Sequence, residues 1–171
     1  MISVQELNAS YVTSTYKLIH EIIFTLPSYS RVAREQQIQA YTIEKLNKYY
    51  ITNRDRKSTI AIDMHSNEVI GFLFGRIEQF IDCKMFYGEW TGVISEHRNN
   101  LVMQQMWNFT ENFCISNRID GFVVDTLTTN TKIHKFLQKN GMNIWKEIKN
   151  HWYGHDYFLW GKFYGKSDGE L

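Results

Sequence analysis

Residues Glu89–Phe113, EWTGVISEHRNNLVMQQMWNFTENF, change period halfway along. On the way in, Tyr87, Glu89, Thr91 and Val93 alternate with Trp90 and Ile94, the two-residue period of a strand. A turn follows through Ser95, Glu96 and His97. Val102, Met106, Phe109 and Phe113 then recur at spacings of four, three and four, which is one face of a helix. Arg98 stands at the junction. The first N–H groups of a helix have no intrahelical partner and carry the positive end of its dipole, so with a cation beside them they suit a phosphate-bearing ligand. The same residues also read as a plain strand–turn–helix connection with a surface arginine, and a short motif alone does not separate the two.

The order of elements around this junction narrows the choice. Upstream, Ile2 to Val4 reads as a short strand, and Asn8 or Ser10 caps a helix whose face is Val12, Tyr16, Ile19 and Ile23. Leu26, Pro27 and Ser28 end that helix, because proline cannot continue its interior. A second helix is expected from about Arg34 to Tyr50, with Ile38, Tyr41, Lys45 and Tyr49 on one side. Arg54 to Lys57 reads as a basic turn. Thr59 to Met64 and Val69 to Gln79 read as a hairpin about His65-Ser66-Asn67, and Ile81 to Ile94 as the next strand. Downstream, Asp120-Gly121 marks a turn and Phe122 to Leu127 a buried strand. Thr131 to Lys139 is a helix closed by Asn140-Gly141, as a left-handed cap would close it. Two strands finish the chain, about Met142 to Trp152 and Tyr157 to Tyr164.

Composition excludes several function classes. The chain of 171 residues carries a formal net charge of +1, which argues against nucleic acid as the main partner. No apolar run reaches the ~20 residues that span a bilayer, and no long run of like charge suits a membrane surface. The opening MISVQELNAS lacks the basic and apolar regions of a signal peptide, so a cytoplasmic setting is expected. Cys83 and Cys114 make no disulfide framework, and neither Cys nor His shows metal-ligand spacing, so no metal is expected. A Gly-x-Ser-x-Gly elbow and a phosphate-binding Gly-x-x-x-x-Gly-Lys loop are both missing. Aromatic residues make up 15% of the chain. That load suits thick packing or an aromatic-walled cleft; the Trp145, Trp152 and Trp160 set reads as core first.

The element order and the junction together resemble the GNAT family of N-acyltransferases, over essentially the whole chain and most densely from Glu89 to Met142. In that family an apolar strand end is followed by Arg or Gln, two residues, Gly, one residue, and Gly or Ala. Val93 and Arg98 keep this pattern, whereas Leu101 and Met103 stand at its two small positions. Asn130, Phe136 and Gly141-Met142 correspond to the family's later motif, and Leu137 stands where a tyrosine often serves as general acid. The resemblance implies an α/β (α+β) fold. Its mixed, mostly antiparallel central sheet is flanked by helices in the order β-α-α-β-β-β-α-β-α-β-β, as one domain over 1–171.

It also implies transfer of an acetyl or other acyl group from acetyl-CoA to a primary amine by direct attack. Val93 and Ser95 would pair with the peptide-like pantetheine arm as an added strand does. Arg98, Asn99, Asn100, Leu101, Val102 and Met103 would hold the pyrophosphate, the two asparagines tolerating left-handed backbone where glycines are missing. Asn130 would steady the arm. Glu89 would take the proton of the acceptor amine, although it also reads as a strand glutamate paired with a basic neighbour. Asp125 could do similar work or bind a loop. Tyr87, Tyr153 and Tyr157 are the candidate acids in place of Leu137, and the sequence does not choose among them; Tyr157 opens the last strand, which in this family runs near the acceptor cleft. His97 and His134 read as surface residues first. The implied partner is an amine of a small molecule or peptide, with a homodimer compatible. The alternative is a catalytically inactive GNAT-fold module that binds CoA or regulates, motivated by Leu101, Met103 and Leu137.

Overall fold

The computed structural model describes residues 1–25, 30–80, 82–98 and 101–165. The expected helix end at Leu26, Pro27 and Ser28, the strand start at Ile81, the candidates Asn99 and Asn100 and most of the polar tail lie outside the described residues. Seven strands form a sheet in the order β1-β2-β3-β4-β5-β7-β6. All recorded pairings are antiparallel except β4 with β5, which is parallel. The expected order of elements is therefore observed, with one change among the helices. Two compact units divide the chain, Met1–Arg76 with Trp90–Asn112, and Ile77–Glu89 with Phe113–Leu171.

In the first unit, β1 (Ile2–Glu6) pairs with β2 (Arg56–Asp63), and β2 with β3 (Glu68–Gln79). Strand side chains alternate between faces. Ile60, Ile62, Phe72 and Phe74 share a core with Ile19, Ile22 and Ile23 of α1 (Val12–Thr25), and with Leu46 and Tyr50. Trp90 of β4 (Lys84–Val93) joins this core, its ring 4.8 Å from that of Phe72. The other face carries Thr59 and Gly71, and there α4 (Val102–Ser116) lies. Thr59 and Thr110 bury both hydroxyls against each other at 2.7 Å, so the polar pair is satisfied inside the core.

Gly71 sets how closely α4 approaches. A Cβ at that position would stand 3.0 Å from Met106 Cε and 3.1 Å from Val102 Cγ1. Both neighbours are side-chain ends, and methionine repacks readily. Gly71→Ala is therefore expected to cost about 1–2 kcal/mol in a denaturant titration. An unchanged midpoint would mean that α4 has room to spare.

The expected helix from Arg34 to Tyr50 is two pieces. α2 (Arg31–Ala40) is capped by Ser30, whose hydroxyl accepts the Ala33 N–H at 3.2 Å. A second start follows at Thr42, whose hydroxyl accepts the Lys45 N–H; α3 (Ile43–Lys45) then widens into a π-helical turn over Leu46–Ile51. Thr42 prefers to cap rather than to sit inside a helix, and that breaks the run. The basic turn is also corrected: Lys57 lies in β2, only 6% exposed, with its Nζ 2.6 Å from Glu6 Oε2.

In the second unit, the first half of β4 runs beside β5 (Gly121–Leu127), from Met85↔Gly121 to Gly88↔Val124. The start is pinned by Asp120, whose Oδ2 accepts the Lys84 N–H at 2.7 Å while its own N–H bonds the Lys84 carbonyl at 2.8 Å. β7 (Tyr157–Phe163) pairs with β5 on one side and β6 (Asn143–Ile148) on the other. Gly141 closes α5 (Thr131–Lys139) at φ +77, and the Met142 N–H bonds back to the Leu137 carbonyl, as the sequence foretold. β6 ends earlier than Trp152, because Asn150 and Tyr153 take left-handed backbone at φ 48 and φ 54. The tryptophans are not one cluster: Trp160 is buried, whereas Trp145 and Trp152 are 40% and 51% exposed. Cys114 is a buried core residue. Among the described residues no helix is long and apolar enough to cross a membrane.

Candidate functional site

Backbone direction at the end of β4 follows from one hydrogen bond. The Ile94 N–H donates to the Ile70 carbonyl of β3 at 2.9 Å. The preceding carbonyl, that of Val93, therefore points to the opposite edge, and the N–H and C=O groups of Thr91 and Val93 share that edge. The β5 ladder stops at Gly88, yet β4 continues to Val93. Arg98 comes back to this edge, its Nε donating to the Val93 carbonyl at 3.1 Å. The guanidinium thus spends one N–H on the strand end and keeps its terminal nitrogens for another acceptor.

A one-turn 3₁₀ segment, Ser95–His97, leads from the strand to the arginine. The Ser95 hydroxyl donates to Glu96 Oε2 at 2.8 Å. Glu96 is held below the ordinary carboxylate range by its own backbone N–H first and then by that hydroxyl. An ionised Glu96 beside Arg98 opposes an anion there. His97 is half-buried rather than a plain surface residue, and its Nδ1 has no hydrogen-bond partner among the described residues.

Leu101 precedes α4, and its carbonyl accepts the Gln105 N–H at 2.9 Å. It adopts φ +58 with its side chain 68% exposed. The backbone has thus kept the left-handed turn that a glycine would make, with a leucine in it. Left-handed backbone costs a non-glycine residue ~1–2 kcal/mol, and little apolar burial is returned here. Leu101→Gly is expected to raise stability by about 1 kcal/mol in thermal or denaturant unfolding. A fall in stability would show that the leucine is held by contacts that outweigh its backbone. Met103 is half-buried and turned toward the sheet, its sulfur 3.5 Å from Thr91 Oγ1. That hydroxyl has its better acceptor in the Phe72 carbonyl at 2.8 Å. Met103 thus packs under the helix, as its half-burial requires, and Val102 is fully buried.

In the second unit the register decides which side chains meet. Tyr87 pairs with Val123, so Tyr87 and Glu89 on β4 share a face with Val123 and Asp125 on β5. Asp125 pairs with Leu159 and Leu127 with Tyr157, which adds Tyr157 to that face. Glu89 is half-buried, one residue past the last β4–β5 pair. Tyr157 is 7% exposed and meets the His151 ring edge-on at 5.5 Å.

Asp125, read from the sequence as a base or as a residue that binds a loop, is a hub that does bind the 149–156 loop. Its Oδ2 accepts the Tyr87 hydroxyl at 2.8 Å and the Trp152 indole N–H at 2.9 Å. His151 Nε2 lies 3.1 Å from the same oxygen. An ionised carboxylate can only accept, so Nε2 carries the proton. Sequence offered half the signal, since Tyr87 and Asp125 sit on strands already recognised. Trp152 was assigned to the core, and nothing in the spacing ties residues 151 and 152 to 125. The 149–156 loop that carries them is tied by Asp156, whose carboxylate accepts from Lys149 Nζ at 2.9 Å and from the Asn150 N–H at 3.0 Å. Lys149 and then the Asn150 N–H hold the Asp156 carboxyl below its ordinary value.

The remaining candidates resolve as follows. Asn130 caps α5, its Oδ1 facing the Ile133 N–H at 3.4 Å; its side-chain amide hydrogens are not used by the cap. His134 is a structural latch, with Nε2 3.0 Å from the Leu127 carbonyl and its ring 5.3 Å from Trp160. Leu137 is 1% exposed, so the place of the family's tyrosine is core. No group of three or more His, Cys, Asp or Glu among the described residues could hold a metal ion.

No family model matches this sequence, and no curated protein matches it. Solved structures do. A GNAT-family acetyltransferase from Streptococcus pneumoniae matches with a TM-score of 0.81 at 12% identity, over 96% of this chain and 100% of that one. The PaiA N-acetyltransferase of Thermoplasma acidophilum, solved with coenzyme A, matches at 0.76 and 17% identity, over 96% and 99%. Arabidopsis thaliana NAA60 with a bisubstrate analogue matches at 0.72 and 17% identity, over 98% and 100%. The fold of this chain is the GNAT fold.

Proposed function

We propose that the chain, as one domain, is an acyl-CoA-dependent N-acyltransferase that acetylates a primary amine. The observation that carries this reading is the β4 edge. The strand outruns its β5 ladder by five residues, and the groups of Val93 that point to this edge sit beside Arg98 and a helix start. A peptide-like pantetheine arm pairs with such an edge as an added strand, and the helix start with Arg98 receives the pyrophosphate. The acceptor nitrogen gives its proton to Glu89 and attacks the thioester carbon. A strand N–H on the same edge meets the oxyanion. The N–C bond forms, the C–S bond breaks, CoA leaves as a thiol with a proton from Tyr157, and the tyrosinate regains a proton from the new amide nitrogen. Asn130 contributes its free amide hydrogens to the arm. The structural relatives solved with coenzyme A or a bisubstrate analogue support the donor class.

Calorimetry with acetyl-CoA tests binding, and thiol release with a panel of primary amines tests turnover. No binding of acetyl-CoA or any short acyl-CoA overturns the reading. Binding without thiol release across the panel selects the second reading, a CoA-binding regulatory module. The burial of Leu137 at the usual acid position favours that one.

A further inference from the structure

Three donors converge on one oxygen of Asp125, and that asymmetry is the starting point. Oδ2 takes Tyr87, His151 and Trp152, while Oδ1 takes no donor among the described residues. The side chain is only 10% exposed. Oδ1 itself keeps access to solvent, so this oxygen is open to a donor from a ligand. We propose that Asp125 Oδ1 is the binding point for the acceptor in its ammonium form, and that the acceptor is a primary amine carrying an aromatic or other apolar body.

The division of labour with Glu89 follows from the hydrogen bonds. Three hydrogen bonds on Oδ2 fix the Asp125 carboxylate in place and leave Oδ1 to receive a donor. Asp125 therefore holds and orients the acceptor, and Glu89, on the same sheet face, takes the proton. The surroundings fit an ammonium ion with an apolar body. The indole of Trp152, the phenol of Tyr87 and the imidazole of His151 all reach Asp125, and Tyr157 lies against His151. Aromatic faces attract a cation and bury an apolar body. Trp152 is half-exposed, so the cluster reaches solvent. The loop bearing Trp152 is braced by left-handed Tyr153 and by His155, whose carbonyl accepts the His151 N–H at 2.8 Å. This proposal takes its chemistry from the N-acyltransferase reading, but the binding it asserts needs no acyl donor.

The test is a titration of the full chain, without acetyl-CoA, with phenethylamine and its neutral counterpart 2-phenylethanol, followed by tryptophan fluorescence. The expected result is that the amine binds about tenfold or more tightly than the alcohol. Asp125→Asn should abolish that preference and Glu89→Gln should keep it. Equal binding by the wild-type chain overturns the proposal, and so does a preference that survives in Asp125→Asn. If Asp125→Asn does not fold, the wild-type preference and its persistence in Glu89→Gln decide the matter. A parallel arm uses a peptide with a free N-terminus and its N-acetylated form. Tighter binding of the free peptide than of phenethylamine makes the acceptor a peptide N-terminus and overturns the assignment of an amine recognised by its apolar body. Steady-state assays separate positioning from mere structure. Asp125→Asn should raise the KM for the amine about tenfold or more and leave the KM for acetyl-CoA unchanged. Amine preference without acetyl-CoA binding would sink the acyltransferase reading and leave this one standing.

Discussion

Glu89→Gln lowers kcat by about 10²–10⁴-fold, the contribution of one positioned proton acceptor, and leaves acetyl-CoA affinity as it was. The substitution is nearly isosteric, so the half-buried position keeps its volume and β4 its pairing. What is lost is the capacity to take a proton from an ammonium acceptor. The acceptor must be neutral to attack, and without a base only the small fraction already neutral reacts. The deficit should therefore shrink as pH rises toward the acceptor's own pKa. That pH profile separates a missing base from a damaged fold, which higher pH would not repair. Activity within twofold of wild type at neutral pH would show that water takes the proton and that Glu89 only braces the strand.

The fold could be read from the chain because its evidence is local. Alternation in β2 through β5, the Gly141 cap and the strand-to-helix junction are each set by residues a few positions apart. The break at Thr42 was missed because apolar periodicity runs straight through it, while the capping hydroxyl decides. The site is less legible, since it depends on register. Tyr87, Asp125, His151 and Trp152 are far apart in sequence, and only the pairing of β4, β5 and β7 and the turn after β6 bring them to one oxygen. Leu101 makes the same point for the backbone. The sequence shows a missing glycine, but only the structure shows that the left-handed turn was kept without it.

Arg98→Ala weakens acetyl-CoA binding by about 10- to 100-fold, as one charge-assisted contact of ~1.5–3 kcal/mol requires. The size of the effect does not by itself identify the contact, because the proposed function gives the side chain a second task beside the bond it makes. Its Nε holds the Val93 carbonyl at 3.1 Å, and its terminal nitrogens are left to meet a phosphate. Pantetheine separates the two, since it has the arm without the pyrophosphate. If Arg98 acts through phosphate, Arg98→Ala leaves binding of acetyl-pantetheine almost unchanged while that of acetyl-CoA falls. If it acts by setting the strand end, both ligands lose affinity together. Arg98→Lys sharpens the result: lysine keeps the charge but loses the planar fork that serves a carbonyl and a phosphate at once. It should restore only part of the acetyl-CoA affinity, and full rescue would reduce the arginine to a point charge at the start of α4.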